Sequence, residues 1–188
     1  FAADGRFYCV DVIHGRIFRL DGDIFTVVAD YDGEPNGLGA HPDGRLFIAD
    51  YKHGIMTLDP ASGRIEPVLQ RYRAERFKGP NDLTFSLGGD LYFTDQGLTG
   101  QQDPSGRVFR LTRDGALQLV LDGIPSPNGL VLNSDETELL VGVTRDNAVW
   151  TLPLLPDGGV AKVGRFIQLS GGLGPDGLAL DAHGNLFV

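Results

Sequence analysis

Four oxygen-bearing side chains recur along this chain at nearly equal intervals: Asn36, Asn81, Asn128 and Asp176, spaced by 45, 47 and 48 residues. A proline precedes each, at Pro35, Pro80, Pro127 and Pro175, and a leucine stands two residues after each, at Leu38, Leu83, Leu130 and Leu178. If a fold brings such anchors to one place, their amide and carboxylate oxygens suit a hard or borderline divalent cation. Ca²⁺ comes first, with Zn²⁺, Mg²⁺ or Mn²⁺ as alternatives. Pro-Asn-Gly is also an ordinary turn sequence, and Asn36, followed by Gly37, reads as a turn former. Asp176 needs more, because a turn accepts Asn or Asp alike and a carboxylate lining a channel without a cation would be costly.

The elements that would carry the anchors are short strands. Helical periodicity is nearly absent, and 27 glycines punctuate apolar runs throughout the 188 residues, the pattern of an all-β chain. Gly44, Gly89 and Gly184 each fall eight residues after an anchor. The third copy carries one extra residue and is expected to replace this turn. An apolar strand ending in Asp follows, LFIAD to Asp50 and LYFTD to Asp95, and FYCVD to Asp11 is the same strand of an earlier copy. Asp11, Asp50 and Asp95 read as turn formers. Next come GRIFRL from Gly15 or GIMTL from Gly54, then a fourth strand such as TVVAD or LQLVLDG. Each unit is therefore a four-strand meander.

Four strands every 45 to 48 residues are the signature of a β-propeller blade. The expectation is a single partial propeller domain over residues 1–188, holding three complete copies, the last three strands of one before and the first two of one after. The chain covers about four blades and reads as a segment cut at both ends. In a propeller the first strand of each blade lines the channel, so the anchors would converge at one mouth.

One copy departs from the template. From the strand-ending Asp to the next strand's Gly there are four residues after Asp11 and after Asp50, but eleven after Asp95, so seven extra residues sit in the Gly97–Gly106 stretch. A loop of this kind on a rigid scaffold is a candidate for substrate contact.

Composition narrows the partners. Sixteen basic against 25 acidic residues give a net charge of −9, which disfavours nucleic acid and anionic membranes. The lone Cys9 forbids an internal disulfide and reads as a core thiol. No apolar run is long enough for a membrane helix. The compartment stays open, with the soluble cytoplasm the first expectation. His14, His41, His53 and His183 all fall in turns of the template, which argues against a histidine metal site. Trp150 reads as packing between blades. Neither a Gly-x-Ser-x-Gly elbow nor a phosphate or dinucleotide loop is present.

The segments GPNDLTFSLGGDLYFTDQG, SPNGLVLNSDETELLVGVT and GPDGLALDAHGNLFV resemble consecutive blade starts of the family of senescence marker protein (regucalcin), gluconolactonases and luciferin-regenerating enzymes. That resemblance implies a six-bladed propeller and a metal-dependent lactone hydrolase. Asn128 and Asp176 would be metal ligands, and Asp176 also the catalytic base. Asn81 would bind substrate, or reach the metal through water. A Glu from the first anchor, upstream of residue 1, would complete the ligand set; Glu34 belongs to the next copy and is no substitute. Ring opening would then combine Lewis-acid polarisation of the lactone carbonyl with proton transfer by Asp176. Two other readings stand beside it. Phrases such as LFIADYKHGIMTLDP also resemble strictosidine-synthase-like propellers, and a non-catalytic calcium-binding propeller could keep the same ring. Asp82, where neighbouring copies have Gly, has no role at this level.

Overall fold

The structure, a computed structural model, describes residues 1–2 and 5–188. The chain is all-β. It opens with a three-stranded meander, β1 (Phe7–Asp11), β2 (Arg16–Asp21) and β3 (Ile24–Asp30), in sequential order. A four-stranded meander follows, β4 (Pro35–Ala40), β5 (Leu46–Asp50), β6 (Gly54–Asp59) and β7 (Arg64–Leu69). A short hairpin, β8 (Arg71–Tyr72) and β9 (Glu75–Arg76), turns through Arg73 at φ 56°. The next four-stranded sheet holds β10 (Pro80–Phe85), β11 (Leu91–Asp95), β12 (Gly106–Leu111) and β13 (Leu117–Ile124). The last contains β14 (Pro127–Leu132), β15 (Glu138–Val143), β16 (Ala148–Pro153) and β17 (Gly164–Gln168). A 3-10 turn, Thr144–Asp146, joins β15 to β16. The described chain closes on a two-stranded pair, β18 (Ala179–Leu180) and β19 (Leu186–Phe187).

The four-strand repeat therefore has the phase and order expected from the sequence, with three strands before the complete copies and two after. No helix among the described residues is long and apolar enough to cross a membrane.

The chain forms two compact units, Phe1–Leu83 and Thr84–Val188, the division falling within β10. In the first, Ile17, Leu46, Ile48, Met56 and Leu58 form a buried cluster. In the second, Tyr92, Val108, Ile124, Leu130, Leu139, Val141 and Leu152 do the same, with Trp150 packed against their edge. The central strands β5 and β11 are buried along their whole length. That is why LFIAD and LYFTD read as continuous apolar runs rather than alternating ones. Each large side chain so buried contributes about 1.5–3 kcal/mol.

One turn expectation needs correction. The third copy keeps the turn that its sequence was expected to replace. Glu136 adopts φ 53° and donates its N–H to the Asn133 carbonyl at 3.0 Å, as Gly44 does to His41, Gly89 to Ser86 and Gly184 to Asp181. The side chain of Asn133 makes this possible, its Oδ1 accepting from the N–H groups of Thr137 and Glu138 at 2.9 and 3.0 Å. Asp11 and Asp50 do receive turn N–H groups, from His14 at 3.3 Å and from Lys52 and His53 at 2.9 and 2.7 Å. Asp95 faces a longer connection and pairs with Arg107 on the neighbouring strand, at 2.6 and 2.9 Å.

Candidate functional site

Asn128 is the second residue of β14, and its backbone is held from several directions. Ser126, two residues earlier, sits in the left-handed region at φ 66°, which costs about 1–2 kcal/mol for a non-glycine residue. Three hydrogen bonds offset this. The Ser126 N–H donates to Thr99 Oγ1 at 3.0 Å, its carbonyl accepts from the Thr144 N–H at 3.0 Å, and its hydroxyl accepts from Gln96 Nε2 at 2.9 Å. Thr99 donates in turn to the Gln96 carbonyl at 2.7 Å. Thr94 Oγ1, fully buried on β11, donates to the Asn128 carbonyl at 2.8 Å. The loop with seven extra residues thus folds back on the start of β14 and fixes the anchor there.

Asp176 is placed through its own backbone and that of Pro175. The Gly129 N–H donates to the Asp176 carbonyl at 2.9 Å, and Thr144 Oγ1 donates to the Pro175 carbonyl at 2.8 Å. Gly174 turns at φ 101°, where a Cβ would stand 2.0 Å from the Thr144 carbonyl oxygen. A Cβ on Gly129 would lie 2.6 Å from both the Asp176 carbonyl and the Leu178 nitrogen. The Gly after the Asn anchor is therefore there for the passage of the next copy's anchor as much as for a turn. Gly129→Ala is expected to push residues 176–178 away and to destabilise the fold by about 1–3 kcal/mol. A urea midpoint lowered with an unchanged m-value would check it.

Both side chains reach one cavity of about 240 Å³, walled also by Gln96, Ser126, Thr144, Arg145 and the 173–175 segment. Asn128 is only 8% exposed, and its side-chain amide, at the cavity wall, makes no hydrogen bond to a described residue. The Asp176 carboxylate likewise pairs with no described residue. The two groups together offer oxygen donors to a cation. They fit a hard divalent ion as two ligands of a larger set. No group of three His, Cys, Asp or Glu among the described residues could hold a metal by itself.

The remaining anchors lie in the first unit. Asn81, on β10, is 6% exposed, and Asn36 is half-buried on β4. Asp82 acquires a local account: its Oδ1 accepts the Leu83 N–H at 2.9 Å, and its backbone and carboxylate crowd the place where a Cβ of Gly37 would stand. The histidines serve turns. His14 meets the Asp11 carboxylate at 2.9 Å, His41 meets Asp43 at 2.9 Å, and His53 contacts the Asp32 carbonyl. A larger cavity, about 670 Å³, lies in the first unit but contains none of the anchors, and its Arg19, Arg45 and Arg64 are already paired with Asp21, Asp43 and Glu66.

Sequence reasoning missed Gln96, Thr99, Ser126, Thr144 and Arg145. Only the excess length after Asp95 hinted at them. Asp146, beside Arg145, is held by Arg165 at 2.7 and 2.8 Å and by Trp150 Nε1 at 2.7 Å. Burial pushes its carboxyl up, but the Arg165 and Trp150 hydrogen bonds outweigh burial and hold it below the usual carboxylate range. A depressed folded value contributes stability above about pH 3.9, the ordinary value, and loses it as pH falls through the folded one. Trp150 is the only tryptophan. Its emission is therefore expected to change in acid below about pH 4, and the change should be absent in Asp146→Asn.

The model of the SMP-30/Gluconolactonase/LRE-like region matches residues 1–188. The chain belongs to this family. Among curated relatives, a gluconolactonase of Zymomonas mobilis is 38% identical over 173 residues, 81% of this chain and 48% of the relative. Lactonase drp35 of Staphylococcus epidermidis is 30% identical across the whole chain, which covers 61% of it. A solved gluconolactonase from Xanthomonas campestris superposes with a TM-score of 0.86 at 28% identity, over 96% of this chain and 64% of its own. The chain thus spans about half to two thirds of the length of the family members it matches.

Proposed function

We propose that this chain carries part of a metal-dependent lactone hydrolase, supplying about four blades of a six-bladed propeller. Its substrate would be a small sugar-type lactone. The reading rests above all on Asn128 and Asp176, two oxygen-bearing anchors, sharing one cavity. Gluconolactonase and lactonase relatives support the reaction class.

Asn128 and Asp176 would hold the cation, Ca²⁺ first, together with a donor from elsewhere in the protein. When bound it would supply Lewis-acid polarisation of the lactone carbonyl. Asp176, as base, takes a proton from the attacking water while the water oxygen bonds to the acyl carbon; the ring C–O bond then breaks, and the proton passes to the departing alkoxide. Water and lactone become one hydroxy acid. Asn81 would orient a substrate hydroxyl. Ser126, Thr94 and the Thr99 hydroxyl keep the Asn128 backbone in place during this sequence, so that little reorganisation is needed when charge develops.

The test is a panel of five- and six-membered sugar lactones assayed with the metal-loaded protein before and after chelation. Ring opening that stops on chelation and returns with Ca²⁺, Zn²⁺, Mg²⁺ or Mn²⁺ is the expected result. Metal uptake without hydrolysis of any lactone would favour a binding propeller instead.

A further inference from the structure

Among the residues lining the cavity of Asn128 and Asp176, Asp176 is the one acid and Arg145, an exposed residue, the one base. Arg145 is unusual among its neighbours. Arg165 is paired with Asp146, Arg107 with Asp95 and Arg110 with Asp90. The guanidinium of Arg145 has no acidic partner among the described residues. Its backbone, in contrast, is fixed. The Arg145 carbonyl accepts from Gln101 Nε2 at 2.8 Å, and Gln101 belongs to the seven-residue excess after Asp95. The 3-10 turn ends at Asn147 in the left-handed region, φ 51°, with Asn147 Nδ2 donating to the carbonyls of Leu169 and Gly171 at 3.2 Å. Asp146, which could have neutralised Arg145, is held instead by Arg165 and Trp150.

An exposed, uncommitted guanidinium carried by a fixed backbone beside a cavity can meet a planar or tetrahedral anion there. We propose that Arg145 forms an anion subsite, so that the lactone taken by this site bears a carboxylate or phosphate outside the ring. Gln101 is the positioning residue that sets the Arg145 backbone. The inference builds on the lactone-hydrolase reading and narrows its substrate class. It also gives the long loop a purpose: Thr99 fixes the Asn128 side of the cavity while Gln101 fixes the Arg145 side.

The test compares kcat/KM of the metal-loaded protein for three probes: a neutral six-carbon aldonolactone, the same lactone with a 6-phosphate, and one with a terminal carboxylate. The parent is expected to prefer one of the charged pair, which also tells phosphate from carboxylate. In Arg145→Gln the ratio of charged to neutral kcat/KM should fall about tenfold to a hundredfold, the range of a charge-assisted hydrogen-bonded pair. Arg145→Lys should recover only part of it, because a point charge lacks the planar fork. Gln101→Ala should raise KM for the charged lactone more than it lowers kcat. Calorimetric binding of the ring-opened charged acid should weaken in parallel with the ratio. A parent that opens the neutral lactone faster than both charged ones, or an unchanged ratio in Arg145→Gln, overturns the anion subsite and leaves lactone hydrolysis standing. A parent that opens none of the three overturns both.

Discussion

Replacing Asp176 by alanine is expected to abolish both retention of the divalent cation and lactone opening. Losing a positioned general base alone costs about 10²–10⁴ in rate, and here the same carboxylate would also serve as a ligand. Asp176→Asn separates the two roles. It keeps an oxygen donor of nearly the same shape but removes the base, so it should retain part of the metal while ring opening falls by the same two to four decades or so. Metal content by atomic spectroscopy and turnover of a single lactone check both variants. Neither should unfold the chain, because the Asp176 side chain is exposed and the structural contact at this position is made by its carbonyl. Normal turnover by Asp176→Ala would remove the proposed mechanism.

The second large effect concerns stability. Asp95 is fully buried, and Arg107 reaches one of its oxygens twice, at 2.6 and 2.9 Å, while lying 5.2 Å above the ring of Phe109. Phe109 itself stacks on Phe93 at 5.3 Å between centroids. Arg107→Ala takes the cation from a buried carboxylate and opens space beside two packed rings. A cost of about 3–5 kcal/mol is expected, measured by urea denaturation. Removing both charges together, in Asp95→Asn with Arg107→Met, should return most of that loss, since an apolar replacement of a buried pair is often neutral. Asp50 at the matching position responds differently. It accepts from the Tyr31 hydroxyl at 2.6 Å and from three backbone N–H groups, of Glu34, Lys52 and His53. It has no comparable dependence on one arginine.

Much of the architecture was legible because it is periodic. Fixed spacing of Pro, an amide or acid and Leu gives strand starts, and Gly44, Gly89 and Gly184 give turns whose positive φ demands them. Glu136 escaped the pattern because what stabilises its left-handed backbone is the side chain of Asn133, a tertiary substitute for glycine that composition does not reveal. Asn128 and Asp176 were legible as a pair for the same periodic reason. Their surroundings were not, since each supporting contact joins residues distant in sequence: Thr99 with Ser126, Gln101 with Arg145, Thr144 with Pro175. Pro127 and Asn128 belong to β14, and the left-handed residue lies just before them at Ser126. Asp82 was opaque because its neighbour Gly37 comes from the preceding copy.

The strand meanders and the Asn128 cavity differ in how their contacts are spread along the chain, and this has a kinetic consequence. Every four-stranded sheet pairs only successive strands, so each can form from local segments, and low sequence separation favours fast assembly. The Gln101–Arg145 and Thr144–Pro175 bonds close loops of 44 and 31 residues and return little apolar burial. The cavity walls are therefore expected to order after the sheets during refolding and to open first in the native state. Amide exchange at Ser126 and Gly129 should run through openings cheaper than those that release Phe93 and Phe109, so that the Asn128 cavity yields before the strands that carry it.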